Sequence, residues 1–135
     1  MSAYRLYDTW FRVIRKLLPA ERITRVRNVV WMIIGLYLGQ SVHLARIASR
    51  LPVGKAKLTS TTDRFRRFLR NAAFRVRPWY RPIAERLLAR AALSGTIRLI
   101  LDGSKVGAGQ QLLMVALAYR QRALPICWTW VRGAR

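Results

Sequence analysis

The sequence predicts an α+β protein in which about five helices precede a three-stranded antiparallel sheet. Two observations lead to this prediction. Apolar residues recur at helical spacing as far as residue 94, whereas residues 96–131 contain three short apolar runs separated by Gly-rich or polar corners. We therefore divide the chain into a helical region, residues 1–94, and a sheet region, residues 95–135.

The composition indicates a folded protein with a polyanionic partner. Of its 135 residues, 53% are hydrophobic, which is ample for a core. Lys and Arg together number 26 and Asp and Glu number 5, giving a formal net charge of +21 at pH 7. Self-repulsion of this size opposes compaction unless a polyanion screens it. Nucleic acid is the polyanion that we expect, and an anionic membrane surface is the second candidate.

The first two predicted helices are separated by a proline. Residues 5–18 place apolar side chains at helical spacing, and Pro19 ends that helix. The second helix is predicted from about Ala20 to Tyr37. Its strongly apolar part, residues 29–38, is shorter than the ~17–25 residues that span a bilayer. We therefore predict a buried core helix and no membrane partner.

Two shorter helices follow. Ser41 is predicted to cap a third helix over residues 42–51. After a basic loop, one of the three hydroxyl residues at 60–62 is predicted to cap a fourth helix over residues 63–71. Gly35 and Gly39, in the preceding helix, either bring it close to a neighbour or end it.

Arginine is concentrated in the fourth helix and the segment after it. The third helix, the loop and this arginine-rich helix resemble a helix-turn-helix in outline, although the loop is longer than usual. A solvated basic face accounts for the same pattern. Basic residues interleaved with aromatic ones suit phosphate contact combined with base stacking. The predicted DNA-binding residues are Lys55, Lys57, Arg64, Arg66, Arg67, Arg70, Arg75 and Arg77.

The last helix and the sheet are predicted from Pro82 onward. Pro82 suits the first turn of a fifth helix, which runs to Leu93. The strands are predicted over Thr96–Leu101, Gln111–Tyr119 and Leu124–Val131, with a polar corner at residues 120–122.

Asp102 directly follows the first predicted strand and is the candidate catalytic residue. Catalytic carboxylates commonly lie where a buried strand meets solvent, and an Asp could also bind a divalent cation. Two-metal phosphoryl transfer, however, requires several carboxylates around a pair of cations. No Asp or Glu follows Asp102, and the other four acids lie on predicted helices. Without such partners, Asp102-Gly103 would be an ordinary turn dipeptide.

Cys127 is the single cysteine of the chain. Its apolar neighbours, Ile126 and Trp128, predict an inert core thiol. A single cysteine allows no intramolecular disulfide, which favours a reducing compartment and a cytoplasmic location.

Residues 97–133 resemble the start of the catalytic domain of DDE transposases from bacterial insertion sequences, which have an RNase H-like fold. The similarity lies in an apolar strand ending at Asp102, in the following Ser104-Lys105, and in the PI-W-W pattern of Leu124–Trp130. The upstream segments LARIASRLP and STTDRFRRFLRN are similar to the helical region with which these proteins contact transposon-end DNA.

The resemblance implies specific roles. Asp102 would be the first catalytic carboxylate and a ligand of Mg²⁺ or Mn²⁺ in the intact enzyme. The family's second Asp and its Glu lie on later elements, beyond Arg135, so residues 95–135 would be the first three strands of a truncated RNase H-like domain. Such a chain would retain DNA binding, lack catalysis and hold no metal tightly.

The same resemblance also implies which partners the chain would have. They are DNA and either a second copy of this chain or a full-length transposase. The alternative function is a non-catalytic, basic DNA-binding or inhibitory module, and a membrane-associated basic protein is the third candidate.

Overall fold

Five helices precede a three-stranded antiparallel sheet, which confirms the α+β class. The computed structural model describes residues 2–52, 57–107 and 109–132. In chain order the elements are α1 (Ala3–Leu17), α2 (Ile23–Gly39), α3 (Leu44–Ser49), α4 (Leu58–Leu69), α5 (Val76–Ala92), β1 (Leu99–Lys105), β2 (Gln110–Tyr119) and β3 (Arg122–Arg132). The relation to RNase H-like folds remains a prediction.

The chain forms two compact units, Met1–Arg75 and Val76–Arg135. We call them the helical unit, which contains α1–α4, and the sheet unit, which contains α5 and the three strands. The sequence analysis placed its boundary after residue 94, whereas α5 belongs with the sheet. The reason is that Arg77 and Tyr80 donate hydrogen bonds from α5 to carbonyl oxygens of β3.

One side of α2 is the centre of the helical unit. Val26, Val30 and Ile34 recur every four residues on this side and are almost fully buried. Ile47 of α3 and Phe65 of α4 are buried in the same unit. Burial of each such side chain contributes about 1.5–3 kcal/mol. This burial agrees with the predicted core helix, and none of the described helices is long and apolar enough to cross a bilayer.

The glycines of α2 permit a close approach of α3. A Cβ atom at Gly35 would lie 2.5 Å from Ile47 Cγ2 and 2.9 Å from the Ile47 carbonyl oxygen. At Gly39 the nearest atom would be the Arg46 carbonyl oxygen, at 3.4 Å. Gly35 therefore has the first of its two predicted roles. Gly39 has the second, because α2 ends there, Gln40 follows in the left-handed conformation, and a Cβ atom at Gly39 would meet α3 only at ordinary contact distance.

The predicted starts of α3 and α4 were wrong. His43 is the N-cap of α3, and the Ser41 hydroxyl instead accepts a hydrogen bond from the His43 amide, at 3.2 Å. α4 begins at Leu58, so residues 60–62 lie within its first turns rather than before it. The Thr62 hydroxyl donates to the Leu58 carbonyl oxygen at 2.9 Å. Threonine can form this bond to the carbonyl four residues earlier when it lies inside a helix, so a hydroxyl residue does not by itself mark a cap.

The position of Pro82 was also wrong. α5 begins at Val76, and Pro82 lies inside the helix. Because proline has no amide hydrogen, α5 lacks one backbone hydrogen bond at this turn. Arg77 and Tyr80, in the preceding turn of α5, hold the helix against β3 through hydrogen bonds to the Trp128 and Pro125 carbonyl oxygens.

A bulge and a tight turn shape the sheet. Val115 pairs with Cys127 and Ala116 pairs with Pro125, so Ile126 is the extra residue of a β-bulge. The bulge lies beside Pro125, which has no amide hydrogen to donate to β2. Arg120 and Gln121 connect β2 to β3 with φ angles of 46° and 62°, as a two-residue type I′ turn requires.

Candidate nucleic-acid interface

Asp102 lies inside a strand, not at the end of one. It is the fourth of the seven residues of β1 and pairs with Met114 of β2. The ladder continues through Gly103 to Lys105, which pairs with Gln111. The expected strand-end position and the alternative of an Asp-Gly turn are therefore both wrong, because hydrogen bonding to β2 keeps these residues extended. All of β1 is exposed, so the expected buried strand is also absent.

The surroundings of Asp102 do not fit a two-cation centre. Nowhere in the described residues do three or more His, Cys, Asp or Glu side chains form a group that could hold a metal ion. A pair of divalent cations needs several convergent oxygen ligands, and one exposed carboxylate supplies too few. We assign no reaction step to a metal ion here.

The exposed surface of α4 carries a group of basic side chains. Thr61, Phe65 and Phe68 lie on the buried side of the helix. Arg67 and Arg70 are exposed and, within residues 2–52, 57–107 and 109–132, have no ion-pair or hydrogen-bond partner.

The other two arginines of α4 have local partners. Arg66 forms an ion pair with Asp63, one turn earlier. The Arg64 guanidinium lies 5.4 Å from the ring centroid of Phe65. Both side chains remain exposed, so these contacts do not remove them from a surface that can meet phosphate. The four arginines of α4 and its C-cap extend over about 9 Å of helix axis. Over that length duplex DNA presents about five phosphates.

The remaining predicted phosphate contacts lie in different parts of the chain. Lys57 is the exposed N-cap of α4, and Arg75 is exposed at the end of the helical unit. Arg77 belongs to the sheet unit, where its guanidinium donates to the Trp128 carbonyl oxygen at 3.1 Å. Lys55 lies outside the described residues. The helical unit thus holds most of the predicted set, and Arg77 has a structural contact of its own.

A second basic feature was missed by the sequence analysis. Arg46 of α3 and Arg50, the C-cap one turn later, line a polar cavity of about 450 Å³ together with Gly39 and Ser49. The signal was present in the segment LARIASR, in which two arginines are four residues apart. Only the close approach of α3 to Gly39 shows that this pair borders a concave site.

The sheet unit contains a larger, mainly apolar cavity of about 890 Å³ between α5 and strands β2 and β3. Tyr80 and Trp128 line it, with ring centroids 5.3 Å apart. The Tyr80 hydroxyl donates to the Pro125 carbonyl oxygen at 2.5 Å, and burial raises the pKa of Tyr80. Cys127 also lines the cavity and is exposed, so the prediction of a core thiol was wrong.

Comparisons with known proteins give no relative for either unit. The chain matches no protein family, no curated protein and no solved structure.

Proposed function

We propose that this chain binds DNA and that the arginines on the outer side of α4 contact the phosphate backbone. The observation that carries the proposal is the exposure of Arg67 and Arg70 without an acidic partner among the described residues. The net charge of +21 supplies the long-range attraction.

The chemistry of arginine supports a phosphate ligand. Its planar guanidinium presents N–H donors in a fork that matches two phosphate oxygens. Such contacts position a protein on DNA but carry no sequence information. We therefore propose binding that depends on the DNA backbone and varies little with base sequence.

The resemblance to DDE transposases supports the DNA-binding part of this proposal. By that resemblance the family's role would be DNA transposition, and the helical region, residues 1–94, would correspond to the part that contacts transposon ends. We propose no phosphoryl transfer by this chain, because Asp102 is a single exposed carboxylate.

Salt dependence tests the proposal. Affinity for a short duplex is measured by fluorescence anisotropy over a range of salt concentrations, with two duplexes of unrelated sequence. Each phosphate contact contributes about −0.9 to the slope of log K against log salt. We expect a steep negative slope that is similar for both duplexes.

A charge-matched pair of variants locates the surface. Arg67→Gln/Arg70→Gln removes two exposed arginines from α4, and the slope should become shallower by about 1.8. Arg86→Gln/Arg90→Gln removes two exposed arginines from α5 and serves as the control. A wild-type affinity that does not change with salt contradicts DNA binding. Equal losses in the two variants contradict the assignment to α4.

A further inference from the structure

The cavity at the junction of α2 and α3 is lined by two cationic side chains. Arg46 belongs to α3 and Arg50 is its C-cap, and the two positions are about 6 Å apart along the helix axis. With Gly39 and Ser49 they line about 450 Å³. This volume corresponds to about fifteen water molecules, so a phosphate group fits while keeping part of its hydration.

The absence of a side chain at Gly39 keeps the cavity open. A Cβ atom there would lie 3.4 Å from the Arg46 carbonyl oxygen and 3.6 Å from Arg50 Cγ. The main chain of α2 at Gly39 therefore lies beside the backbone of Arg46 and the side-chain stem of Arg50. Because Gly39 lines the cavity, a longer side chain at position 39 would take up part of its volume.

Two of the three acids of the helical unit already pair with other arginines. Glu21 forms an ion pair with Arg25, and Asp63 forms one with Arg66. No ion pair or side-chain hydrogen bond of the Arg46 or Arg50 guanidinium occurs within the described ranges 2–52, 57–107 and 109–132. Like charges one turn apart on a helix repel each other, and a bound anion would relieve this repulsion.

The donors of the cavity are the guanidinium groups. The Ser49 hydroxyl donates to the Arg46 carbonyl oxygen at 2.9 Å, so its proton is already used. Two guanidinium groups offer two pairs of N–H donors. A phosphate, with its several oxygens, can accept from both pairs, whereas a carboxylate has only two oxygens.

We propose that Arg46 and Arg50 form a two-arginine clamp for one backbone phosphate of the bound nucleic acid. This assignment rests on the proposed DNA binding and adds a second point of contact, on α3, to the one on α4. It names residues outside the set predicted from the sequence.

Two variants of the clamp separate charge from geometry. Arg46→Gln/Arg50→Gln removes both charges, and Arg46→Lys/Arg50→Lys keeps them but lacks the planar fork. Arg86→Gln/Arg90→Gln is the control, since it removes two arginines at the same spacing from α5. Thermal unfolding of each full-length variant, followed by circular dichroism, shows whether the fold is retained.

The expected results differ for each variant. In the anisotropy titration, Arg46→Gln/Arg50→Gln should reduce the slope of log K against log salt by about 0.9, because the two arginines share one phosphate. The lysine variant should keep the slope close to that of wild type and lose affinity several-fold, because single ammonium groups replace bidentate donors. The control should change the slope by less than half of the first value.

Two outcomes overturn the clamp, and they are distinguishable. If wild type binds DNA with a steep salt dependence but the glutamine variant behaves like the control, the clamp alone is wrong. If wild type shows no salt-dependent binding, the proposed function fails and the clamp fails with it. A glutamine variant that no longer folds leaves the lysine variant as the test, and wild-type affinity in that variant rejects the clamp.

Discussion

Tyr80 holds α5 against the sheet through one hydroxyl group. The hydroxyl donates to the Pro125 carbonyl oxygen, and the ring lies edge-on to Trp128. Burial raises the pKa of Tyr80 because the charged tyrosinate would lose hydration. The contact depends on the neutral form, since only the protonated oxygen can donate to a carbonyl.

Tyr80 should therefore make the stability of the sheet unit depend on alkaline pH. With a folded-state pKa above the unfolded value of about 10, its contribution is fully present below about pH 10 and is lost as the pH rises through the folded value. We expect the free energy of unfolding to fall over this range in wild type. Tyr80→Phe should cost about 1 kcal/mol at neutral pH and remove part of the alkaline fall. Tyr119→Phe, at an exposed position of β2, is the control, and an equal effect of both changes would argue against the Tyr80 contact.

Asp102 shows where sequence reasoning failed at the level of one residue. An Asp-Gly pair after three apolar residues predicts the end of a strand, but pairing of Lys105 with Gln111 extends β1 beyond it. Local propensity could not reveal this register, because cross-strand hydrogen bonds decide where a strand ends.

Replacing Asp102 should leave DNA binding intact. Asp102→Asn removes a negative charge from an exposed strand, so DNA affinity should stay equal or rise slightly. Wild type should produce no nicks in supercoiled plasmid DNA with Mg²⁺ or Mn²⁺, as judged by agarose gel electrophoresis. Nicking by wild type that disappears in Asp102→Asn would show that this carboxylate is catalytic.

Among the contacts between secondary-structure elements, the packing of α3 against α2 depends on Gly35. A methyl group there would overlap the Ile47 side chain and its carbonyl oxygen, whereas at Gly39 it would meet atoms at ordinary contact distance. The core of the helical unit includes Ile47, which is almost fully buried and cannot move aside freely.

The two glycines should respond oppositely to the same substitution. Gly35→Ala should destabilise the helical unit, because overpacking costs about 1–3 kcal/mol and the gain in helix propensity is at most about 1 kcal/mol. Gly39→Ala receives the same propensity gain with little steric cost, so its stability should equal or exceed that of wild type. Chemical denaturation followed by circular dichroism measures both. A Gly35→Ala protein as stable as Gly39→Ala would disprove the tight crossing.

The elements themselves were largely predictable, and their ends were not. Helical periodicity identified all five helices, and the Gly-rich and polar corners separated the three strands. Hydroxyl residues at 60–62 and Pro82 misled the predictions of helix starts, because both residue types suit caps and first turns yet also occur inside helices. For Pro82, α5 begins more than one turn earlier, where its residues contact β3, and such contacts cannot be read from local sequence.

At the scale of the whole chain, β1 exposes apolar side chains along an unpaired edge. Leu99 and Leu101 are 57% and 67% exposed, and no described strand pairs with the side of β1 that faces away from β2. Edge strands of this kind readily pair with other chains. The net charge of +21 opposes such association through mutual repulsion.

We expect the chain to self-associate through β1 when no nucleic acid is present. Leu101→Lys should reduce the association, because a lysine on an edge strand disfavours pairing with a second strand. Leu93→Lys is the control, since Leu93 is 88% exposed but lies between α5 and the sheet strands. Sedimentation velocity at several protein concentrations measures the effect. A wild-type protein that stays monomeric throughout, or an equal response of the two variants, would contradict this role of β1.

The neighbouring strands of the sheet are also neighbours in sequence, joined by short connections. The two-residue turn at Arg120 and Gln121 brings β2 and β3 together at little cost in chain entropy. Hairpins of this kind form within about 1–10 μs. The hairpin of β2 and β3 can therefore form within microseconds once both strands are free in solution.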